Sequence, residues 1–213
     1  PELAQMQLPQ IQGKIKNIDV IAATPDLSNV EREMPGMTNS ETRIVRKIEA
    51  VRKIYPYIII DSPPTFGPLL NSALNAADQV IVPVDCNYYA LAGIKKLIGE
   101  VEEIRAGSNS RLQEINYLLT LVDSTNVSRE ISSGLVELFG KSVFESRIRR
   151  SVKFREASGF AKTIFDHSPG SLAALDYSSL CDEIIENREQ KSFESNFEKI
   201  FSETEFLSLG ARQ

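Results

Sequence analysis

Three apolar runs along the chain lack polar alternation, which is the pattern of strands buried on both faces of a parallel sheet. They cover residues 57–60, 79–84 and 116–122. Pro63 and Pro64 end the first run shortly after Asp61. A shorter apolar run, residues 18–23, is ended by Thr24-Pro25. Further short strand candidates are residues 143–144 and 163–165.

Between these runs, apolar residues recur at helical spacing. A helix opening at Ser40 would turn Ile44, Val45, Ile48 and Val51 inward. Further helices are predicted over residues 69–77, 91–104, 128–139 and 171–185; Gly140 would cap the third, and the last would bury Leu172, Leu175, Leu180 and Ile184. Alternating strands and helices predict an α/β fold, a mostly parallel sheet with helices on both faces.

Length and composition fit one α/β domain with an appendage. The 213 residues are 42% hydrophobic and 25% charged, and no apolar run is long enough to span a bilayer. Cys86 and Cys181 are expected to be core thiols of a reduced cytoplasmic protein, and His167 a solvated loop residue. We expect residues 1–186 to form the α/β body and residues 187–213 an acidic amphipathic tail.

The acidic excess of the chain lies near its C-terminus, at the end of the body and in the tail. From Asp182 to Glu205 there are eight acidic against three basic residues, and the formal net charge of the whole chain is −5. The rest of the chain is therefore close to neutral, which leaves room for a basic binding face. The tail's apolar stripe is Phe193, Phe197, Ile200 and Phe201. Helices that bind membranes carry Lys and Arg beside such a stripe, so we expect this one to pack on protein rather than on membrane.

Asp61 is the first candidate for chemistry. It follows an apolar run directly, so it would emerge at the carboxyl end of a strand, where open α/β sheets bind ligands. Nucleotide hydrolases hold Mg²⁺ with a carboxylate in this position, directly or through water. The alternative from the residues alone is a buried strand followed by a helix-capping Asp.

The second candidate is a basic stretch, residues 147–162. The cations Arg147, Arg149, Arg150, Lys153, Arg155 and Lys162 outnumber the acids of this neighbourhood, Glu145 and Glu156. Such a cluster binds phosphates without reading sequence when it forms one surface. The alternative is a solvated helix end with ordinary surface charges.

Four blocks occur in an order that resembles one family. They are Tyr55-Pro-Tyr-Ile-Ile-Ile-Asp-Ser-Pro-Pro64, Asn71-Ser-Ala-Leu-Asn-Ala-Ala-Asp78, Val82-Pro-Val-Asp-Cys-Asn-Tyr-Tyr-Ala-Leu-Ala-Gly93 and Ile148-Arg-Arg-Ser-Val-Lys-Phe-Arg-Glu-Ala157. Together they resemble the ParA/Soj family of deviant-Walker partition ATPases, relatives of MinD, over residues 18–185. The set is far more specific than any one of its motifs.

The resemblance implies a P-loop-type fold, ATP and Mg²⁺ as cofactors, an ATP-dependent dimer, non-specific DNA binding and a ParB-type partner. It implies a cytoplasmic, nucleoid-associated protein. Asp61 would be the catalytic and metal-binding Walker B residue, with Ser62 and Pro63 in a loop, residues 62–67, that senses the γ-phosphate. Arg149 and Ser151 would lie near the adenine, where many members have Pro and Asn. The six cations of residues 147–162 would contact DNA.

One family feature is missing from the sequence. The family begins with a glycine-rich loop whose amides and lysine hold the phosphates, whereas the glycines before Asp61 are Gly13 and Gly36, neither in a Gly-Lys-Thr setting. We therefore expect the chain as given not to hydrolyse ATP. Either the first unit was removed from a longer chain, or this is a natural relative without it.

The sequence leaves alternatives to a partition ATPase. A P-loop-less DNA-binding or dimerisation module could regulate a full-length homologue, and a MinD-like positioning protein would share the fold. An electron-transfer protein like the nitrogenase iron protein needs paired cluster cysteines, and Cys86 and Cys181 lie in the wrong contexts for that role.

Overall fold

The computed structural model of the chain describes residues 18–23, 27–34, 42–86 and 90–186. The chain divides into two compact units, Pro1–Ser72 and Ala73–Gln213. Residues 187–213, for which the acidic tail is predicted, lie outside the described residues. The predicted helix start at Ser40 does too.

The first unit is mainly helical where it is described. Helix α1 covers Leu27–Glu33 and α2 covers Thr42–Val51, and α3, Pro68–Ala76, crosses into the second unit. The helices predicted around α2 and α3 are confirmed. The four apolar residues predicted to face inward from α2 are all half-buried, as helical spacing requires of a one-sided stripe.

The predicted strands at residues 18–23 and 57–60 are wrong, because neither stretch forms a helix or a strand. Ile59 is 93% exposed, and Tyr57 and Ile21 are more than half exposed. A strand exists only by hydrogen bonding to a neighbour, and no strand ladder or isolated bridge joins a described residue to either stretch. Just before the second stretch, the Tyr55 hydroxyl donates a hydrogen bond to the Asp19 carboxylate of the first.

A parallel two-stranded sheet forms the centre of the second unit. Strand β1, Gln79–Asp85, pairs with β2, Glu114–Thr120, from Gln79 beside Glu114 to Asp85 beside Thr120. β2 is buried along five consecutive residues, as its unbroken apolar run predicts. β1 is not buried as predicted, since its residues alternate in exposure and Ile81 is 38% exposed. Both strands and the parallel α/β class are nevertheless confirmed.

Helices on either side of β2 in the sequence provide the core. α4, Ala90–Gly107, buries Ile94, Ile98, Val101 and Ile104 on one stripe, while α5, Asn126–Phe139, buries Ile131, Leu135 and Phe139. The Tyr117 ring of β2 lies 4.1 Å from the Phe139 ring between centroids. Each such buried side chain contributes about 1.5–3 kcal/mol through removal of apolar surface from water.

Three further helices, two short and one longer, complete the described chain. α6 covers Val152–Gly159, α7 covers Ile164–His167 and α8 covers Leu172–Glu186. The prediction of a strand at residues 163–165 is wrong, because the Thr163 hydroxyl accepts a hydrogen bond from the Asp166 N–H and begins α7. Among the described helices, none is both long and apolar enough to cross a bilayer.

Helix α8 is confirmed, but the side it buries differs from the prediction. Leu172 is 60% exposed and Leu175 is 52% exposed, whereas Leu180 is buried together with Ala173, Ala174 and Asp176. The small alanines allow close packing, and Asp176 is buried because it has a hydrogen-bonding partner. Cys86 is buried as expected, but the expectation that Cys181 is a core thiol is wrong, since it is exposed.

Replacing glycine by alanine is expected to have opposite effects on stability at two positions of the second unit. Gly140 ends α5 with φ 52° and ψ −122°, a backbone conformation that disfavours any side chain. Gly99 lies inside α4, where an added Cβ meets no atom within 4 Å. We expect Gly140→Ala to destabilise the fold by about 1–3 kcal/mol and Gly99→Ala to stabilise it by about 0.5–1 kcal/mol. Urea unfolding of both variants checks this, and equal signs would contradict it.

Candidate functional site

Asp61 lies in the first unit, in an extended loop between α2 and α3. The residue is exposed, as is Ser62, while Pro63 is half-buried. Its carboxylate forms no hydrogen bond or ion pair with a residue that the structure describes. An accessible carboxylate fits Mg²⁺, which is held by one or two carboxylates together with phosphate oxygens and water. No group of three or more His, Cys, Asp or Glu side chains among the described residues could hold a metal ion alone.

The basic stretch lies in the second unit, and its first residues belong to a segment that runs beside β2. We call residues 143–150 the edge segment. It forms isolated parallel bridges to β2 at Tyr117–Val143 and, just beyond β2, at Val122–Arg149. Its Phe144 and Ile148 are buried with Leu118 and Leu180. The apolar residues thus face the core, and the intervening polar residues remain near the surface.

Arg149 is fixed by Asp176 of α8. The backbone N–H of Arg149 donates to one carboxylate oxygen at 3.0 Å, and the guanidinium donates through Nε and Nη2. Burial raises the pKa of the Asp176 carboxyl. The hydrogen bonds and the charge of Arg149 together lower this pKa by more than burial raises it, so the net pKa lies below its ordinary value. Arg149 therefore serves as the charge partner of a buried acid.

Two further cations of the stretch have acidic partners. The Arg150 Nε lies 3.8 Å from Asp123, and the Lys153 ammonium lies 2.8 Å from Glu156. Hydrogen bonds from Thr125 and then the charge of Arg150 hold the pKa of Asp123 below its ordinary value. The hydrogen bond from Lys153 lowers the pKa of Glu156 in the same way. Ion pairs exposed to solvent add little to stability, but these two reduce the positive charge available to a ligand.

Three cations have no such partner. Arg147, Arg155 and Lys162 are exposed, and none forms an ion pair with a described residue. Ser151 lies among them and begins α6, because its hydroxyl accepts the Lys153 N–H. Phe154 of the same helix packs against two buried clusters. One is the cluster of Phe144, Ile148, Leu118 and Leu180, and the other consists of Ala157, Ile164, Ala173 and Ala174. The free positive charge of the stretch is therefore smaller than the count of its cations.

Three partners in this region were missed from the sequence. Asp176 and Glu183 of α8 hold the edge segment, since Glu183 accepts the backbone N–H groups of Glu145 and Ser146 at 2.7 and 2.8 Å. His167 is not a solvated loop residue as predicted, because it ends α7, lies 3.3 Å from Glu156 and stacks on Phe160. The spacing of Asp176, Leu180 and Glu183 placed both acids on the buried side of α8 and was the available signal.

Comparisons with known proteins agree with this fold. A family model described as an AAA domain matches residues 4–114. The sporulation initiation inhibitor protein Soj of Bacillus subtilis is 37% identical over 174 residues, which are 81% of this chain and 69% of that protein. The chromosome-partitioning ATPase Soj of Thermus thermophilus is 35% identical over 82% of this chain and 70% of that protein.

A solved structure shows the same fold at lower identity. The cobyrinic acid a,c-diamide synthase of Mycobacterium smegmatis, with bound ATP analog and magnesium, superposes with a TM-score of 0.65 at 23% identity. The match covers 81% of this chain and 66% of that one. The chain thus spans roughly two thirds of the length of these proteins.

The Arg149–Asp176 pair predicts a pH-dependent stability. Because the folded-state pKa of Asp176 is lowered, its contribution is present above the ordinary Asp pKa of about 4 and is lost as pH falls through the lowered value. We expect Asp176→Asn to reduce the free energy of unfolding by about 1–3 kcal/mol at pH 7. The deficit should shrink at pH 3. Urea unfolding at both pH values tests this against Asp182→Asn, at an exposed acid of the same helix; an equal deficit at both would contradict it.

Proposed function

Because the chain belongs to the ParA/Soj family of deviant-Walker partition ATPases and is a partitioning protein of that type, we propose that its second unit binds duplex DNA without reading the sequence. The observation that carries the proposal is the set of exposed cations Arg147, Arg155 and Lys162, which form no ion pair with any residue that the structure describes. Cations in this state can neutralise phosphates and release counterions without first breaking an ion pair. Arg149 stays with Asp176 instead.

The two remaining cations contribute less to this surface. Arg150 is the stronger of the two, since its side chain is 63% exposed and its contact with Asp123 is long. Lys153 shares one Glu156 oxygen with His167, so it would have to leave a short ion pair before contacting phosphate. Three to four phosphate contacts per chain are therefore proposed, rather than the six that the cation count implies.

We further propose that Asp61 is the carboxylate that holds Mg²⁺ beside ATP, with Ser62 and Pro63 in the loop near the γ-phosphate. ATP and Mg²⁺ are the nucleotide and metal of this family, and the exposed carboxylate of Asp61 suits the role. The triphosphate itself needs a cradle of backbone amides and a lysine. Gly140-Lys141-Ser142 does not provide one, because it follows α5 as a 3₁₀ turn rather than leading from a strand into a helix.

The partners proposed are a ParB-type protein and a second copy of the chain. A dimer would double the phosphate contacts. The exposed apolar residues Ile58 and Ile59 support an association of some kind, because an extended apolar stretch outside the described sheet favours pairing with another segment. Another segment of the same protein could equally fill this place.

We predict that the 213-residue chain binds ATP weakly or not at all. Isothermal titration with ATP and Mg²⁺ tests this, and a micromolar Kd would contradict it. If a family phosphate-loop segment is added, we expect slow hydrolysis that Asp61→Ala abolishes, since the metal carboxylate is lost. Asp182→Ala, at an exposed acid of α8, is the control, and activity retained by Asp61→Ala would show that the metal role is misassigned.

We also predict binding to unrelated duplexes with equal affinity and strong salt dependence. Three phosphate contacts would give a slope of log affinity against log salt of about −2.7, and a fourth from Arg150 about −3.6. Arg155→Ala should reduce the magnitude of the slope by about 0.9.

The matched control for this titration is Lys141→Ala. Lys141 is exposed and precedes the edge segment, at the Tyr117 end rather than the Val122 end of its pairing with β2. Fluorescence anisotropy over a salt series measures all three proteins. The proposal fails if the chain does not bind DNA at low ionic strength even when tethered as a dimer, or if Arg155→Ala and Lys141→Ala have equal effects.

A further inference from the structure

Six backbone N–H groups of the edge segment donate to its two neighbours, three to the chain of β2 and Val122 and three to α8. Those of Phe144 and Ile148 donate to Tyr117 and Leu119 of β2 at 2.9 Å, and that of Arg150 donates to Val122 at 3.0 Å. Those of Glu145, Ser146 and Arg149 donate to side chains of α8. The segment is therefore held from both sides, by backbone carbonyls on one side and by carboxylates on the other.

The two carboxylates lie two turns apart on α8. Asp176 is 6% exposed in its side chain and binds both the backbone and the guanidinium of Arg149. Glu183 is half-buried and gives one oxygen to each of two successive N–H groups. Leu180 lies between them and packs on Phe144 and Ile148. One face of α8 thus holds the backbone on both sides of Arg147, at Ser146 before it and at Arg149 after it.

The charge of Glu183 opposes DNA binding in this position. Glu183 forms no ion pair with a described cation, so it retains a negative charge beside Arg147, and a phosphate would be repelled by it. A neutral side chain would remove the repulsion. What the carboxylate adds here is hydrogen bonding, because each of its two oxygens accepts one of two adjacent N–H groups and neither position presents a donor to them.

We propose that Asp176 and Glu183 are positioning residues of the DNA surface, which hold the edge segment so that Arg147 and Arg150 keep the spacing that phosphates require. This inference rests on the proposed function of the second unit. If the two acids act by positioning, removing their charge weakens DNA binding. If they act only as negative charges, removing their charge strengthens DNA binding.

The test uses variants that remove charge and keep size, in the full 213-residue chain. Glu183→Gln leaves one acceptor oxygen and places an amide donor against the second N–H, and Asp176→Asn does the same at Arg149. The control is Asp182→Asn, at an exposed neighbour of Glu183 on α8. Affinity for a duplex is measured by anisotropy from low to moderate salt. Amide hydrogen exchange of Glu145, Ser146 and Arg149 reports whether the backbone has loosened.

Positioning predicts weaker binding in both test variants although each is less negative than the parent. The salt slope should lose about one contact, a change of roughly 0.9, and the three amides should exchange faster. The control should bind equally well or up to about twofold tighter, since it only removes a repelling charge. If Glu183→Gln and Asp176→Asn bind as tightly as the control, the inference is overturned, and the two carboxylates serve folding alone.

Two other outcomes are also decisive. If Asp176→Asn does not fold, Glu183→Gln carries the test, because Glu183 is less buried and has no guanidinium partner to leave unpaired. If the parent chain binds no duplex at low salt, the proposed function fails and this inference with it. Binding by the parent together with unchanged binding by Glu183→Gln defeats the inference alone.

Discussion

Backbone hydrogen bonds that cannot be made within a sheet must be made elsewhere, and this constraint organises the second unit. The edge segment gives two of its N–H groups to β2, one to Val122 just beyond β2, and three to carboxylates of α8. A buried N–H without a partner costs about 1–3 kcal/mol, so the position of α8 and the path of the segment depend on each other. The arginines of the segment therefore lie at the surface of a stretch that is hydrogen-bonded on both sides.

Helices were predictable because their pattern is local. Ile94, Ile98, Val101 and Ile104 are spaced for one stripe, and α4 buries that stripe. Strands were less predictable, since a strand needs a partner that may be far away in the sequence. Residues 79–85 and 114–120 have one, whereas the apolar stretch before Asp61 has none among the described residues and is exposed. Stretches of similar apolar composition therefore form a strand in two cases and an extended loop in the third.

The candidate site was predictable as a region but not in its details. The sequence locates six cations within residues 147–162. It does not show that Arg149 is neutralised by an acid 27 positions later, or Arg150 approached by one 27 positions earlier. Likewise, apolar spacing predicted four buried residues of α8, of which Leu180 is buried and Ile184 packs against the same cluster, while Leu172 and Leu175 are exposed. Asp176 is buried instead, because a carboxylate with three donors can be buried at little cost whereas one without them cannot.

The described contacts that shape the cationic surface lie within residues 73–186, and Asp61 belongs to the other unit. If ATP controls DNA binding in this protein, the simplest physical route is through the number of copies that act together. Two tethered copies bind a polymer by 10² to 10⁴ times more tightly than one at suitable effective concentration. A surface whose described residues offer three or four cations outside short ion pairs per copy would depend on that gain to hold DNA at physiological salt.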